Sequence, residues 1–94
     1  MKQFLWNREK NDRLKRERGI SFDDIVRHIG RGQLLAVIDH PDPSKYKGQR
    51  IYVVDVGGYA CLVPFVEDRR WIFLKTIIPS RKATKHYLGA MGAK

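Results

Sequence analysis

The chain has 94 residues, which is slightly below the usual domain size of about 100 to 150 residues. We therefore expect a single domain over residues 1–94, too small for a second domain or for a deep, enclosed cofactor pocket. A composition of 43% hydrophobic and 31% charged residues is typical of a globular protein and excludes a disordered or fibrous one.

The charge is strongly basic and unevenly distributed. Lys and Arg number 19 against 10 Asp and Glu, which gives a net charge of +9. Residues 1–18 carry seven basic and three acidic side chains, residues 19–68 carry five and seven, and residues 69–94 carry seven and none. A basic excess of this size indicates a polyanionic partner, and a compact fold could bring the two basic ends onto one face.

The first elements are a short strand and a polar helix. Phe4–Trp6 is apolar and reads as a strand, and Asn7 is a good N-cap for a helix over Arg8–Arg18. Gly19 is the expected helix end, and Leu14 is the clear core residue of the helix. This helix should therefore cover the domain while exposing most of its circumference.

A second helix is predicted directly after the first. Ser21 followed by Asp24 approximates a capping box, in which each side chain bonds the other residue's backbone N–H. The apolar residues that follow fit a helix that ends at Gly30 or Gly32.

From Gln33 onward, apolar β-branched runs between turn residues predict an antiparallel meander of about four strands. The expected strands are Leu34–Asp39, Arg50–Val56, Tyr59–Glu67 and Trp71–Ile78. Gly57-Gly58 predicts a two-residue type I′ hairpin turn, because both of its positions need positive φ. Pro64 lacks a backbone N–H and should mark a bulge.

The last element is a short basic helix. Ser80 is the expected N-cap of a helix over Arg81–Leu88, before Gly89. At 100° per residue, four basic side chains share one arc, namely Arg81, Lys82, Lys85 and His86. An ordinary wet face usually mixes charges of both signs, so this arc favours an anion-binding face.

Several kinds of site are not indicated. Cys61 lies in an apolar run and is expected to be buried and unreactive. The spacing of His28, His40 and His86 fits no zinc motif, and no glycine-rich phosphate loop occurs, so we expect neither a metal nor another cofactor. No secretory signal or bilayer-spanning stretch is evident, which predicts a cytoplasmic protein.

Three segments resemble a known family. They are Phe4-Leu5-Trp6-Asn7 with Lys10-Asn11, Glu17-Arg18-Gly19-Ile20-Ser21-Phe22, and Ile77-Ile78-Pro79-Ser80-Arg81-Lys82-Ala83-Thr84. With the order of elements, they resemble the BrnT-type toxins of bacterial type II toxin-antitoxin pairs, in the RelE/ParE superfamily. The resemblance implies a RelE-like, microbial-ribonuclease-like α+β fold, a ribonuclease activity, and an antitoxin that masks the basic site and represses the operon.

The resemblance also implies site residues. The family's functional basic positions fall on Arg18 and Arg81, and its acidic and basic feature at the last sheet turn falls on Glu67 and Arg69.

The chemistry of RNA cleavage suggests further candidates. The 2′-OH must lose its proton, the pentavalent phosphorane needs cations, and the leaving 5′-oxygen needs a proton donor. Glu67, His86 and His28 are the candidate acid or base groups, although His28 next to Ile29 suits a structural role better. Candidate catalytic residues are thus Arg81, Glu67, His86 and Arg18, and candidate RNA-binding residues are Lys82, Lys85, Arg69 and Arg70.

We therefore expect a toxin with metal-independent endoribonuclease activity, a cognate antitoxin as protein partner, and RNA as substrate. Two alternatives remain open at this point. One is a non-catalytic basic binding module, a degenerate toxin that holds nucleic acid or an acidic protein segment. The other is a ParE-like toxin that acts on gyrase.

Overall fold

A mostly antiparallel sheet with helices on both faces forms the molecule. The computed structural model describes residues 2–92. The helices are α1 (Arg8–Arg18), α2 (Phe22–Gly30) and α3 (Arg81–Gly92), and the strands are β1 (Gln3–Trp6), β2 (Leu34–Asp39), β3 (Arg50–Val56), β4 (Tyr59–Glu67), β5 (Trp71–Leu74) and β6 (Ile78–Pro79). The predicted α+β class is confirmed, and none of the described helices is both long and apolar enough to cross a membrane.

The sheet order is β1-β5-β4-β3-β2, and the short β6 pairs with β4 beside β5. Strands β2 to β5 form the expected antiparallel meander. β1 adds to it in parallel to β5, with Gln3 opposite Trp71 and Trp6 opposite Leu74. The N-terminal strand β1 therefore lies beside β5, so that residues distant in sequence share one end of the sheet.

Side-chain alternation along the two central strands builds a core on each face. Val54 and Cys61 point to the larger core, where they pack with Leu14 of α1 and Phe22 of α2. Val53 and Ala60 of the same strands belong to the smaller core, which is closed by α3. Helices α1 and α2 thus lie on one face of the sheet and α3 on the other.

This arrangement corrects one expectation from the charge map. The basic first helix and the basic last helix are on opposite faces of the sheet, because Leu14 of α1 and Ala83 of α3 are buried in different cores. The two basic helices therefore do not merge into one basic face.

The helix boundaries follow their capping residues. The Asn7 side chain accepts from Lys10 N at 2.9 Å, and Gly19 ends α1 in the left-handed region at φ 69°. Ser21 and Asp24 form the predicted capping box, since each side chain accepts a hydrogen bond from the other's backbone N–H. The predictions for α1 and for the end of α2 at Gly30 are confirmed.

Asn11 is a core contribution that the sequence did not reveal. This side chain is buried, and its Oδ1 accepts from the backbone N–H of Phe22 at 2.7 Å. Since the first N–H groups of a helix have no partner within that helix, Asn11 satisfies one of them for α2. It thereby fixes the junction between α1 and α2.

The structure confirms one prediction about the sheet, the hairpin turn, and contradicts another, the length of the last strand. Gly57 and Gly58 have φ of 62° and 89°, as the type I′ turn requires, so the hairpin is confirmed. The single strand predicted over Trp71–Ile78 is wrong, because β5 ends at Leu74 and β6 begins at Ile78.

Pro64 explains that break. Its pairing with Ile51 of β3 is regular, so the irregularity is on the opposite side of β4. There the two residues between Leu62 and Phe65 of β4 stand opposite three residues, 75–77. The carbonyl of Pro64 accepts from Lys75 N at 2.8 Å, but Pro64 has no N–H to return, and the ladder opens at this point.

The Ser21 cap provides a test of this description of α2. We expect Ser21→Ala to lower the free energy of unfolding by about 1 to 2 kcal/mol, because a buried N-cap is lost. Burial opposes ionisation of Asp24, but hydrogen bonds from Ser21 and Arg27 outweigh it and hold the pKa of Asp24 below 3.8. The stability that Asp24 contributes is thus fully present above pH 3.8, the ordinary pKa of an Asp, and it is lost as the pH falls through the lowered pKa of the folded state.

Urea denaturation at pH 7 and pH 3 measures both effects, and Ser44→Ala in an exposed loop is the matched control, with an expected change within about 0.5 kcal/mol. Equal losses in the two variants would contradict the assigned cap.

Candidate functional site

The predicted site residues fall into three separate groups. Glu67, Arg69 and Arg70 lie at the β4–β5 turn, whereas Arg18 lies at the end of α1. The remaining four are on α3: Arg81, Lys82, Lys85 and His86. The proposed catalytic set of Arg81, Glu67, His86 and Arg18 is therefore not assembled as one site, because α3 is on the opposite sheet face from Glu67.

Register places Glu67 on the face that carries α1 and α2. It is the cross-strand partner of Ile72, and Arg50 is the partner of Phe65, and both apolar residues belong to the larger core. The helices contact this face at its other end, where Trp6 stacks on Phe22. Glu67 therefore lies at the end of the face that the helices leave open, and a third of its side chain is exposed.

Two cations contact Glu67 there. The Nζ of Lys2 donates a hydrogen bond to Glu67 Oε2, although the two residues are 65 positions apart in sequence. The Nη1 of Arg50 lies 3.9 Å from Glu67 Oε1, and its Nε lies 3.9 Å from Asp39 Oδ1. At these distances Arg50 is attracted to both carboxylates without a hydrogen bond to either, so its donors can turn to another anion.

Tyr52 completes this group from the middle of β3. Its ring stacks on Phe65 with centroids 3.9 Å apart, and Phe4 approaches it edge-on at 6.5 Å. Burial raises the pKa of the Tyr52 phenol above 10.0, the charge of Glu67 raises it further, and Arg50 opposes the shift. The phenol is thus protonated at neutral pH and available as a donor.

We call this group the Glu67 cluster and define it as Lys2, Arg50, Tyr52 and Glu67. Sequence reasoning found only Glu67, because the other three residues come from β3 and from the segment before β1, both distant from Glu67 in sequence. Arg50 and Tyr52 are two residues apart in the predicted strand, so the alternation of side chains puts them on one face of it. The register that brings this strand beside Glu67, however, depends on pairing with another strand and cannot be read from the nearby sequence.

The turn after Glu67 holds the two neighbouring arginines. Asp68 Oδ1 accepts from the backbone N–H of Arg70 at 2.8 Å and of Trp71 at 3.0 Å. Gln3 N also donates to Arg70 O, which ties β1 to the turn. Arg69 and Arg70 are exposed, and they add positive charge to the end of the sheet where the Glu67 cluster lies.

Arg18 has a different environment. Its Nη1 donates to the carbonyl oxygen of Ile77 at 2.9 Å, in the segment between β5 and β6. This bond fastens the end of α1 to the interrupted strand pair. Among the described contacts, Arg18 has none with the Glu67 cluster, and its observed role is structural.

The α3 helix is fixed to the sheet through its first turn. Ser80 Oγ accepts from Ala83 N at 3.0 Å, as expected of the N-cap. Thr84 is buried, and its hydroxyl accepts from Ala60 N at 2.8 Å and donates to Ser80 O at 2.7 Å. These bonds set the rotation of α3, so that its inner face carries Ala83, Thr84, Tyr87 and Leu88 and its four basic residues are exposed, as predicted.

The remaining candidates have structural surroundings. Nδ1 of His28 contacts Gln33 Oε1, which fits the structural interpretation of this histidine. Cys61 is buried, and burial raises the pKa of its thiol, which makes the reactive thiolate scarce. Within residues 2–92, no cluster of three His, Cys, Asp or Glu side chains is placed to hold a metal ion.

Comparison with known proteins yields no match to a family model, to a curated protein or to a solved structure. The resemblance to BrnT-type toxins therefore rests on the three sequence segments alone.

The electrostatic coupling within the Glu67 cluster can be measured. We expect Glu67→Gln to lower the pKa of Tyr52 toward 10, because a neighbouring negative charge is removed, and Arg50→Gln to raise it, because a cation is removed. Titration of the Tyr52 ring carbon by NMR gives both values.

The control is Asp39→Asn, which removes a carboxylate that contacts Arg50 but is not among the groups that shift Tyr52. Shifts of the same sign in the Glu67 and Arg50 variants, or shifts no larger than that of the control, would contradict the described arrangement.

Proposed function

We propose that the protein is a metal-independent endoribonuclease of the toxin type, held inactive by a protein partner. The observation that carries the proposal is the Glu67 cluster, in which one exposed carboxylate lies between two cations beside a protonated phenol. The net charge of +9 supports an anionic substrate. The order of one strand, two helices, a meander and a last helix agrees with the order expected from the sequence, on which the resemblance to BrnT-type toxins partly rests.

The cluster contains the groups that the reaction requires. Glu67 takes the proton of the RNA 2′-OH, and the 2′-oxygen forms a bond to the adjacent phosphorus. Lys2 and Arg50 stabilise the added negative charge on the phosphorane oxygens. The bond from phosphorus to the 5′-oxygen then breaks, and the Tyr52 phenol supplies the proton to the leaving oxygen. The products are a 2′,3′-cyclic phosphate and a 5′-hydroxyl end. Glu67 then passes the proton that it took to Tyr52, which restores both groups for the next reaction.

The positions around the cluster suit a single strand of RNA. Arg69 and Arg70 lie on the β4–β5 turn next to Glu67 and add their positive charge to that of the cluster's two cations. There they would contact the phosphates that flank the cleaved one. Arg18, which donates to the carbonyl of Ile77, has a structural role in this proposal and no part in the cleavage step. The cations of α3 are on the opposite sheet face, and they are better placed to hold the partner than the scissile phosphate.

A non-catalytic basic binding module is the second candidate. It is favoured by the ion pairs of Glu67 with Lys2 and Arg50, since a carboxylate that only neutralises two cations needs no catalytic role. Exposed ion pairs of this kind contribute about 0 to 1 kcal/mol to stability. Breaking these ion pairs, so that the carboxylate of Glu67 can take a proton, therefore costs little free energy.

The decisive variant is Glu67→Gln, which keeps the size of the side chain and removes the base. We expect cleavage of a single-stranded RNA oligomer to fall by about 10² to 10⁴ in kcat, the usual contribution of a general base. The rate and the 2′,3′-cyclic phosphate product are followed by gel electrophoresis and mass spectrometry.

Glu17→Gln is the matched control, because it makes the same chemical change at an exposed position of α1. An oligomer with 2′-O-methyl groups should bind and stay intact. Binding of RNA without cleavage by the unaltered protein would favour the binding module, and cleavage that survives Glu67→Gln would contradict the assigned base.

A further inference from the structure

A groove separates α3 from the strand that ends at Asp39, on the face opposite to the Glu67 cluster. It has a volume of about 350 Å³. The residues that line it are Ile38, Pro41, Leu62, Ser80, Lys82, Ala83, His86 and Tyr87. Its floor is therefore made by aliphatic side chains, and one of its walls is the basic side of α3.

The lining defines the chemistry of an occupant. Ile38, Leu62 and Ala83 offer no charged group, so the floor accepts an apolar side chain of the size of Leu or Trp. Lys82 and His86 stand exposed at the rim, and Arg81 and Lys85 follow on the same helix. Residues 69–94 contain no Asp or Glu, and the rim of α3 is thus cationic without internal neutralisation.

A protein segment fits this combination better than RNA does. Phosphates would satisfy the cations, but nucleobases bind by stacking on flat aromatic or guanidinium surfaces. The two rings of the lining, His86 and Tyr87, pack edge to face against each other, and the floor is made by the aliphatic side chains of the sheet. An acidic peptide meets both requirements, since carboxylates pair with the rim while one apolar residue fills the floor. Charge thus calls for an anionic occupant, and the apolar floor favours a peptide over RNA.

We propose that this groove binds an acidic segment of a protein partner through one large apolar anchor residue flanked by carboxylates. The inference rests on the proposed function only in that the partner is taken to be the inhibitor. Because the groove and the Glu67 cluster are on opposite faces, such a segment is a tether for the partner, and it does not itself cover the cleavage site.

The probe is a synthetic fluorescein-labelled peptide, Glu-Asp-Asp-Trp-Asp-Glu, titrated into the full chain and followed by fluorescence anisotropy and by NMR. We expect amide shifts at Ile38, Leu62 and Ala83. Replacing Trp of the probe by Ala should weaken binding by about tenfold or more, because the apolar anchor is lost.

Lys82→Glu is the informative protein variant. It reverses a rim charge, and an acid in the first turn of a helix does not oppose the helix dipole, so α3 is expected to stay folded. Lys85→Glu makes the same change on the same helix at a residue that does not line the groove. Binding of the probe should weaken about tenfold in the first variant and by less than about threefold in the second.

Equal losses in the two variants, equal binding of the probe in which Trp is replaced by Ala, or shifts confined to the Glu67 cluster would overturn the proposal. A 2′-O-methyl RNA oligomer that displaces the probe, added so that its phosphate charge equals the carboxylate charge of the probe, would also overturn the proposal and assign the groove to RNA. Glu67→Gln should leave probe binding unchanged, so failure of the cleavage proposal and failure of the groove proposal give different results.

Discussion

Side-chain alternation along β3 and β4 is the constraint on which the other features depend. Val53 and Val54 are adjacent and both fully buried, but they belong to different cores, and the same holds for Ala60 and Cys61. A sheet with two buried faces needs a helical layer on each face. Helices α1 and α2 supply one layer and α3 supplies the other, which separates the basic helices α1 and α3.

The separation gives each face its own chemistry. One face ends in the Glu67 cluster, where Lys2, Arg50 and the Tyr52 phenol surround an exposed carboxylate. The other carries an apolar groove with Lys82 and His86 at its rim. Under the proposed function, the first face binds the RNA substrate and the second binds the protein partner, and inhibition comes from the part of the partner that lies beyond the groove.

Local signals predicted the elements well, because capping and turn residues act over a few positions. Asn7, the Ser21 and Asp24 pair and Gly57-Gly58 set their helix ends and hairpin as expected. The Trp71–Ile78 strand was predicted wrongly, because its break depends on the N–H that Pro64 lacks on the neighbouring strand. The Glu67 cluster was missed for a related reason, since the parallel pairing of β1 with β5 brings Lys2 to Glu67 across 65 positions of the chain.

The central claim is that the two sheet faces bind different ligands, and NMR of the labelled protein with a 2′-O-methyl RNA oligomer tests it most directly. We predict shifts at Lys2, Tyr52 and Glu67, with Ala83 and Tyr87 unchanged. Shifts centred on Ala83 and Tyr87, with the Glu67 cluster unchanged, would place RNA on the α3 face and contradict the account.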